Sequence, residues 1–384
     1  MAPIRVLQVV GRMERAGLET LIMNIYRNID RSKVQFDFLA HYGEEADYNE
    51  EIRSLGGRIF EMPVIKTTTK TNYHKIFQYI KALKAFFKEH QEFKVVHGHM
   101  TNTASIYMPI ARRHGVKCCI AHSHLARARQ GLTGVVTNIL QLPIERVSNE
   151  YFSCSEKAAE WMFSKKNITE KKVKIIHNAI DSKLYDYNED RRKVYRESLK
   201  LDNKLVIGHV GRFYYQKNHD YLIDIFNELV KINPESVLLL IGEGVLRNEI
   251  ESKVNLLNLN NKVKILGKRS DIAGLMQAMD IFVMPSHFEG LPVVGVEAQA
   301  AGLKCVMSDA ITTETDITGN IKFLPLSIGP QAWAKEILDF SNCLNRETTR
   351  DKIIKAGYDI KTVSEWMQDF YINRHNGITK DQII

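Results

Sequence analysis

Short apolar runs alternate along the chain with longer segments in which apolar residues recur every three or four positions. Nearly continuous apolarity over a few residues is typical of strands buried on both faces, as in a parallel sheet. Segments such as 19–29, 72–90 and 219–232 have the period of an amphipathic helix. The runs that we interpret as strands are 4–10, 34–40, 94–99, 118–123, 151–155, 205–211, 236–244, 263–267, 281–286 and 304–309.

Strands and helices alternate in two separate series, which predicts an α/β protein with two doubly wound, Rossmann-like domains. We assign residues 1–185 to the N-terminal domain and 186–360 to the C-terminal domain, and expect 361–384 to form a helix that packs back on the N-terminal domain. Ligands bind beyond the carboxyl ends of strands in open α/β sheets. Two such domains facing each other predict a site in the cleft between them.

The length of the chain agrees with two domains, and its net charge limits the classes of ligand that it is expected to bind. A chain of 384 residues suits two domains, and its net charge of +8 favours an anionic partner such as a nucleotide, a phosphorylated lipid or an acidic membrane surface. The chain has neither a short basic block nor a zinc-finger spacing, so its positive charge gives no argument for binding to nucleic acid. The five cysteines are few and odd in number, which favours free thiols. Without a signal peptide or 18 consecutive apolar residues, we expect a cytoplasmic protein.

The segment GRFYYQKN, residues 211–218, directly follows a predicted strand. Gly211 allows a tight exit from the strand, and Arg212 and Lys217 then lie in one loop. Two cations at the carboxyl end of a strand are suited to a diphosphate, arginine through its fork and lysine as a point charge. The alternative is a pair of solvated loop residues.

A second segment, HFEGLPVVGVEAQAAG at 287–302, predicts a loop and then a helix that ends at Gly302. We place Pro292 in the first helical turn, where the free N–H groups of 291–294 favour an anion. Glu289 is alternatively a helix cap, and Glu297 a buried, paired carboxylate. Both glutamates could instead accept hydrogen bonds from hydroxyls on either side of a diphosphate, as a nucleotide sugar provides.

The chain contains no Asp-x-Asp pair that would hold a metal ion on a diphosphate. We therefore expect no metal and no cofactor, with Arg212, Lys217 and the helix end neutralising the leaving diphosphate.

Histidines follow two predicted strands of the first domain, at His97, His99, His122 and His124. A single histidine there is more often structural, but four at neighbouring strand ends favour a function. Their spacing is not a metal signature, so we favour contact with a sugar over zinc. The loop 11–20, with the small residues Ala16 and Gly17, is no G-x-G-x-x-G motif, and NAD binding is disfavoured.

Together these motifs, with LIGEG and the segment NTASIYMPIARRHGV after VVHGH, resemble glycosyltransferase family 4, which contains retaining enzymes of the GT-B fold, particularly its bacterial exopolysaccharide and capsule members. The resemblance runs through nearly the whole chain. It implies donor binding by the C-terminal domain and acceptor binding by the N-terminal domain. Departures from the family are Ala16 in place of glycine, Gly295 in place of a branched apolar residue, and Lys304 in place of proline. None of them removes a charged catalytic group.

The resemblance also implies roles for individual residues. Arg212 and Lys217 would bind the diphosphate, Glu289 the donor sugar and Glu297 the ribose, with the loop from Leu266 to Arg269 against the base. The catalytic residues would be His122, Glu289, Arg212 and Lys217. The donor-binding residues would be Gly211, Arg212, Lys217, Gly242, Leu266, Arg269, Glu289, Gly290, Leu291, Pro292, Val293 and Glu297. The acceptor-side residues would be Gly17, His99, His122 and His124.

The implied reaction is retaining transfer of a sugar from a nucleotide diphosphate, most simply a UDP-sugar, to a hydroxyl of a saccharide or lipid-linked acceptor in cell-surface polysaccharide synthesis. Alternatives are a nucleotide-sugar 2-epimerase or hydrolase, and a non-catalytic GT-B partner subunit. We also hypothesise a peripheral contact with an anionic membrane at its inner face through helix 72–90 and loop 126–134. The alternative for this helix is packing on the sheet through Ile76, Ile80, Leu83 and Phe87.

Overall fold

A computed structural model of the chain describes residues 2–14, 16–41, 45–63, 75–124, 143–342 and 346–378. These residues divide into two compact units, unit 1 from Met1–Ala179 with Ile360–Ile384 and unit 2 from Ile180–Asp359. The break at 179/180 lies before the expected 185/186, because residues 180–185 bond within unit 2. The N–H of Ile180 donates to the carbonyl of Tyr358 at 2.9 Å, and the hydroxyl of Ser182 donates to Asp359 at 2.5 Å.

Unit 1 is built on a parallel sheet whose strand order is β3-β2-β1-β4-β5-β6-β7. The strands are β1 Ile4–Val10, β2 Val34–Ala40, β3 Ile59–Glu61, β4 Val95–Gly98, β5 Cys118–Ser123, β6 Glu150–Ser153 and β7 Val173–Ile175. The helices are α1 Gly17–Asn28, α2 Asn49–Ser54, α3 Ile76–Glu89, α4 Ala104–Arg113, α5 Ile144–Val147, α6 Glu156–Met162, α7 Lys165–Thr169 and, from the later segment, α16 Ile360–Asn376.

Helices cover both faces of this sheet because alternate side chains of β1 point to opposite sides. Val6 and Val10 pack in one apolar cluster with residues of α1 and α16, whereas Leu7 and Val9 pack in another with residues of α3 and α4. The continuous apolarity of the strand is thus the consequence of burial on both faces. Gln8 lies between these pairs and is buried too.

Unit 2 has a parallel sheet with the strand order β10-β9-β8-β11-β12-β13. The strands are β8 Leu205–Val210, β9 Ser236–Ile241, β10 Val263–Ile265, β11 Ile281–Met284, β12 Lys304–Ser308 and β13 Ile321–Leu324. The helices are α8 Ser182–Tyr185, α9 Glu189–Leu199, α10 His219–Ile232, α11 Arg247–Leu256, α12 Ile272–Ala278, α13 Val293–Ala300, α14 Pro330–Ser341 and α15 Arg350–Lys355, with 3₁₀ turns at Tyr215–Lys217, Thr313–Thr315 and Leu326–Ile328.

The start of α13 differs from the expectation. The helix begins at Val293, and Pro292 is its N-cap, with an extended backbone (φ −74°, ψ 114°) rather than a place in the first turn. Its proline ring still fits this position, since the N-cap N–H is not used within the helix. The first-turn N–H groups therefore begin at Val293, two residues later than the Leu291 of our expectation.

Candidate functional site

Each sheet has one point at which the direction of winding reverses, between β1 and β4 in unit 1 and between β8 and β11 in unit 2. Helices that follow the two strands leave to opposite faces, so the loops separate there and leave a crevice at the carboxyl ends. The motifs that the sequence analysis singled out follow these strands. Each unit therefore carries its own candidate site.

In unit 2 the loops after β8 and β11 are joined by hydrogen bonds. The side-chain amide of Asn218 donates to the carbonyl of Pro285 at 3.0 Å, and the backbone N–H of His287 donates to the carbonyl of Gln216 at 2.9 Å. The rings of Tyr215 and His287 stack with centroids 4.3 Å apart. These contacts hold the two motifs side by side.

Lys217 and Glu289 form an ion pair at this junction, with Nζ and Oε1 2.6 Å apart. The carboxylate also accepts hydrogen bonds from Gln216 at 2.9 Å and from the hydroxyl of Ser286 at 3.2 Å. Only 16% of the lysine side chain and 9% of the glutamate side chain are exposed, so water screens the pair weakly. Gln216 and Ser286 were not singled out from the sequence, since polar loop residues carry no distinguishing pattern.

The glycines of this site permit close approach of the backbone. A Cβ added to Gly242, whose φ is +143°, would lie 2.0 Å from the carbonyl oxygen of Gly211. At Gly211, an added Cβ would lie 3.2 Å from the side chain of Lys217. Glycine at these positions therefore brings the ends of β8 and β9 together and leaves room for the lysine stem.

Arg212 is exposed, and its guanidinium lies 5.4 Å from the centroid of the Tyr214 ring. Arg269 lies elsewhere, in the loop after β10, where it makes hydrogen bonds of 2.8 and 2.7 Å to both oxygens of Asp271. Leu266 lies just after β10, and its backbone N–H donates to the carbonyl of Leu240 on β9 at 2.9 Å. The structure thus joins Gly211, Lys217, Gly242 and Glu289, while Arg269 is paired within its own loop.

Glu297 lies in the second turn of α13 and is half-buried. Desolvation raises the pKa of its carboxyl group to about 7, although a hydrogen bond from the hydroxyl of Tyr185 favours the ionised form. The structure therefore provides the protein partner that the alternative interpretation expected. Its contact with a ribose stays a prediction, as do the roles of Gly290, Leu291 and Val293 around the N-cap.

In unit 1 the four histidines form one cluster at the ends of β4 and β5. Nε2 of His97 lies 3.0 Å from Nδ1 of His122, and Nδ1 of His99 lies 2.9 Å from Nε2 of His124. The centroids of the His122 and His124 rings are 3.9 Å apart. The sequence placed these residues at neighbouring strand ends, and the structure brings them into contact.

Among the residues that the structure describes, two more bond to this histidine cluster, and both were missed from the sequence. Nδ1 of His97 lies 2.7 Å from the hydroxyl of Tyr371 on α16, and Nε2 of His99 lies 3.0 Å from Oε1 of Gln8 on β1. The signal for Gln8 was a single polar residue inside the apolar run VLQVV, residues 6–10. No local signal marks Tyr371, which lies 363 positions away from Gln8.

Burial lowers the pKa of every histidine in the cluster. The pKa of His124 falls to about 3, and those of His97, His99 and His122 lie well below the usual value, because the protein replaces the water that would solvate a charged ring. The cluster is therefore neutral near pH 7. Nε2 of His122 is buried and has no hydrogen-bond partner among the described residues.

Three of these rings, His97, His99 and His122, bring ligand nitrogens within 4.8 Å of one another. Neutral imidazoles at that spacing are a donor set that a transition metal such as zinc accepts. Most of the nitrogens of these three rings are, however, used in hydrogen bonds to one another, to His124, to Gln8 or to Tyr371, and the absence of a metal stays a prediction. Gly17 is the first residue of α1, and no heavy atom lies within 4 Å of a Cβ added there.

Two doubly wound parallel units, each with polar groups at its switch point, define the fold class of the GT-B glycosyltransferases. The model of the family described as Glycosyltransferase Family 4 matches residues 15–184, and that of Glycosyl transferases group 1 matches 190–359. The putative glycosyltransferase EpsF of Bacillus subtilis is 36% identical over 366 residues, which cover 92% of this chain and 93% of EpsF. This chain therefore belongs to glycosyltransferase family 4, and the resemblance drawn from its motifs is confirmed.

Two further comparisons extend this result. An Escherichia coli enzyme named UDP-Gal:alpha-D-GlcNAc-diphosphoundecaprenol alpha-1,3-galactosyltransferase is 25% identical over 315 residues, which cover 77% of this chain and 79% of that protein. The structure of Anabaena HepE in complex with UDP has a TM-score of 0.75 at 18% identity, covering 97% of this chain and 100% of that chain. The likeness to HepE confirms the expected fold.

Proposed function

We propose that this protein transfers a sugar from a nucleotide diphosphate donor, a UDP-sugar, to a hydroxyl of a lipid-linked or oligosaccharide acceptor, with retention of configuration and without a metal ion. The observation that carries the proposal is the ion pair of Lys217 and Glu289 at the switch point of unit 2. A cation and an anion held together at this position match a ligand that joins a diphosphate to a hydroxyl-rich sugar.

The donor diphosphate would be held by Lys217, Arg212 and the first turn of α13. Lys217 is already ordered by Glu289, so its ammonium group is in place before the ligand arrives. The exposed guanidinium of Arg212 would add a bidentate contact, and the N–H groups that begin at Val293 would add the positive end of the helix dipole. These groups stabilise the negative charge that grows on the diphosphate as the glycosidic bond breaks.

Glu289 would accept hydrogen bonds from hydroxyls of the donor sugar, and Glu297 from hydroxyls of the ribose. Gln216 and Ser286 hold the Glu289 carboxylate and would keep it oriented toward the sugar. For Glu297, the pKa of about 7 implies that ligand hydroxyls bind a carboxylate that is partly protonated near neutral pH. In this scheme Glu289 is a catalytic residue that contacts the transferred sugar, and the departing diphosphate accepts the proton of the acceptor hydroxyl.

The choice of UDP and of a lipid-linked acceptor is supported by the relatives. HepE binds UDP in its crystal structure, and the Escherichia coli relative is named for UDP-Gal and a diphosphoundecaprenol acceptor. The name of that relative also gives an alpha-1,3 linkage, which supports retention. The missing Asp-x-Asp pair supports transfer without a metal ion. A role in bacterial exopolysaccharide or capsule synthesis is supported by a Staphylococcus aureus relative, CapH, which is named as a capsular polysaccharide biosynthesis glycosyltransferase.

A peripheral membrane contact belongs to the same proposal, but on a different face of α3 from the apolar stripe. Leu83 and Phe87 of that stripe are buried in the core, as the packing alternative expected. On the opposite face, Phe77 is 78% exposed and is followed at helical spacing by the exposed lysines Lys81, Lys84 and Lys88. An aromatic ring beside a row of cations suits an anionic lipid surface. The loop 126–134 lies outside the described residues.

The test combines donor binding with product analysis. We expect UDP and UDP-sugars to raise the melting temperature more than GDP- or ADP-sugars, and EDTA to leave transfer to a diphosphate-linked lipid acceptor unchanged. The anomeric configuration of the product, read from its proton coupling constant, should equal that of the donor. Rapid epimerisation of UDP-GlcNAc without acceptor, or strong inhibition by EDTA, would contradict the proposal.

A further inference from the structure

Gln8 connects the two halves of the histidine cluster. Its side chain is buried in the middle of β1, in register with His97 of β4. The amide nitrogen donates to the hydroxyl of Tyr371 at 3.4 Å, and the amide oxygen accepts from Nε2 of His99 at 3.0 Å. One amide group thus faces both hydrogen-bonded histidine pairs.

The first branch runs through Tyr371. Because an amide nitrogen only donates, the hydroxyl of Tyr371 accepts from Gln8 and directs its own proton to Nδ1 of His97, 2.7 Å away. A neutral imidazole carries one proton, so His97 holds it on Nε2 and donates to Nδ1 of His122 at 3.0 Å. The proton of His122 is consequently on Nε2, the buried atom that has no partner among the described residues.

The second branch begins at the amide oxygen of Gln8. Because this oxygen only accepts, Nε2 of His99 carries the proton and Nδ1 of His99 is an acceptor. Nε2 of His124 therefore donates to Nδ1 of His99 at 2.9 Å. His124 then retains Nδ1 as an acceptor.

We propose that Gln8 is a positioning residue that fixes one tautomer, with the proton on Nε2, on all four cluster histidines. The depressed pKa values support this assignment, since rings that stay neutral at pH 7 have one N–H each. Through Nε2, His122 offers a hydrogen-bond donor and not a general base. His124 offers an acceptor at Nδ1, so the cluster presents one donor and one acceptor, the two roles that a hydroxyl group can pair with.

The ligand part of this inference rests on the proposed function, because a hydroxyl of donor or acceptor would be bound there. The tautomer part does not, and its test uses the protein without ligand. If the tautomers differ from the assignment but the protein transfers sugar, the inference is wrong and the proposed function stands. If the tautomers are as assigned but the protein transfers no sugar, the inference stands and the proposed function is wrong.

The experiment is a long-range ¹H–¹⁵N correlation spectrum of the full chain with labelled histidine. We expect all four cluster histidines to show protonated Nε2. His209 of unit 2 is an internal control, because its Nδ1 lies 2.8 Å from the carbonyl of Val283, which requires the proton on Nδ1. A proton on Nδ1 of any cluster histidine overturns the assignment. So does a change of the four signals on adding EDTA, which would indicate a bound metal.

Two variants test whether Gln8 is the cause. In Gln8→Met both pairs lose their fixed direction, and all four signals should move toward values averaged between tautomers. In Tyr371→Phe only His97 and His122 should move, because His99 still donates to Gln8. The unchanged signal of His209 in each variant checks that unit 2 is intact, and thermal unfolding checks the fold of unit 1. Wild-type tautomers in Gln8→Met would overturn the role of Gln8.

Discussion

In unit 1 the switch point between β1 and β4 carries neutral imidazoles, whereas in unit 2 the switch point between β8 and β11 carries a lysine paired with a glutamate. The topology of the two sheets is alike at these points, and the electrostatics differ. Desolvation suppresses charge on four histidines in one unit, and an ion pair with two further hydrogen bonds retains charge in the other. The same fold thus supports a neutral site suited to hydroxyls and a charged site suited to a diphosphate.

The largest expected effect comes from removing the charge at the unit 2 site. Lys217→Met and Glu289→Gln should each lower kcat for sugar transfer by roughly 10²–10³, because the first removes a cation that stabilises the leaving diphosphate and the second removes the carboxylate that binds the donor sugar and orders Lys217. Initial rates with a UDP-sugar at saturating acceptor measure this effect. Lys231→Met is the matched control, because Lys231 forms a surface pair with Glu228 at 2.5 Å and should keep wild-type activity. Full activity in Lys217→Met would remove that residue from the site.

The neutral site should respond to acid. The folded pKa of His124 is about 3, below its ordinary value, so the unfolded chain binds a proton between pH 6.5 and 3 that the folded chain does not. The stability that the native state gains from keeping His124 neutral is fully present above pH 6.5 and is lost as the pH falls toward 3. His124→Asn should therefore reduce the slope of the unfolding free energy against pH by about 1.4 kcal/mol per pH unit within that window. Equal slopes for wild type and variant in urea titrations would contradict the burial of a neutral ring.

The dependence of stability on pH that comes from Glu297 should have the opposite sign to that from His124. Its folded pKa of about 7 exceeds the ordinary 4.5, so the folded chain retains a proton that the unfolded chain has lost. The stabilising contribution is present below pH 4.5 and is lost as the pH rises to 7, by on the order of 1–3 kcal/mol for this half-buried group. Glu297→Gln should remove this dependence. The measurement is the urea midpoint of both proteins at pH 5, 6, 7 and 8, and parallel curves would argue against the raised pKa.

The smallest effect is expected at the surface of α3. Replacing Lys81, Lys84 and Lys88 by glutamate should weaken co-sedimentation with vesicles containing anionic lipid by about tenfold or more, since each cation near such a surface contributes about 1 kcal/mol. Neutral vesicles should bind neither protein. Lys193→Glu with Lys335→Glu, two exposed lysines of unit 2, is the charge control. If wild type sediments equally and negligibly with both vesicle types, the membrane contact is wrong.

Much of the fold was predictable because apolarity and burial coincide in the central strands. β2, β5 and the helix His219–Ile232 have the bounds that the pattern predicted. The strands β3, β7 and β13 were missed, and each is at the edge of a sheet, where all residues except Leu324 are half-buried or exposed and no continuous apolar run marks the strand.

The candidate site was predictable where loop motifs that follow neighbouring central strands supply the residues, and not where other distant segments meet. Lys217 and Glu289 each follow a central strand, so their contact follows from the topology. The contacts of Gln8 with Tyr371 and of Glu297 with Tyr185 depend on tertiary packing that no local pattern records. Gly295 also became clear only in three dimensions, since an added Cβ would lie 3.0 Å from Met307 and 3.2 Å from Thr315, under the helix that it belongs to.

The return of α16 to unit 1 has a consequence for the order of folding during synthesis. Domains fold as units while the chain emerges, the N-terminal one usually first. Here Tyr371 supplies one end of the hydrogen-bonded cluster, and Val363 and Met367 fill the core beside β1 and β2. Unit 1 cannot complete its polar cluster or its core until the ribosome has passed these residues, whereas all of unit 2, residues 180–359, has by then been made. The strands β1 to β7, which are translated before unit 2, therefore belong to the unit that is completed after unit 2.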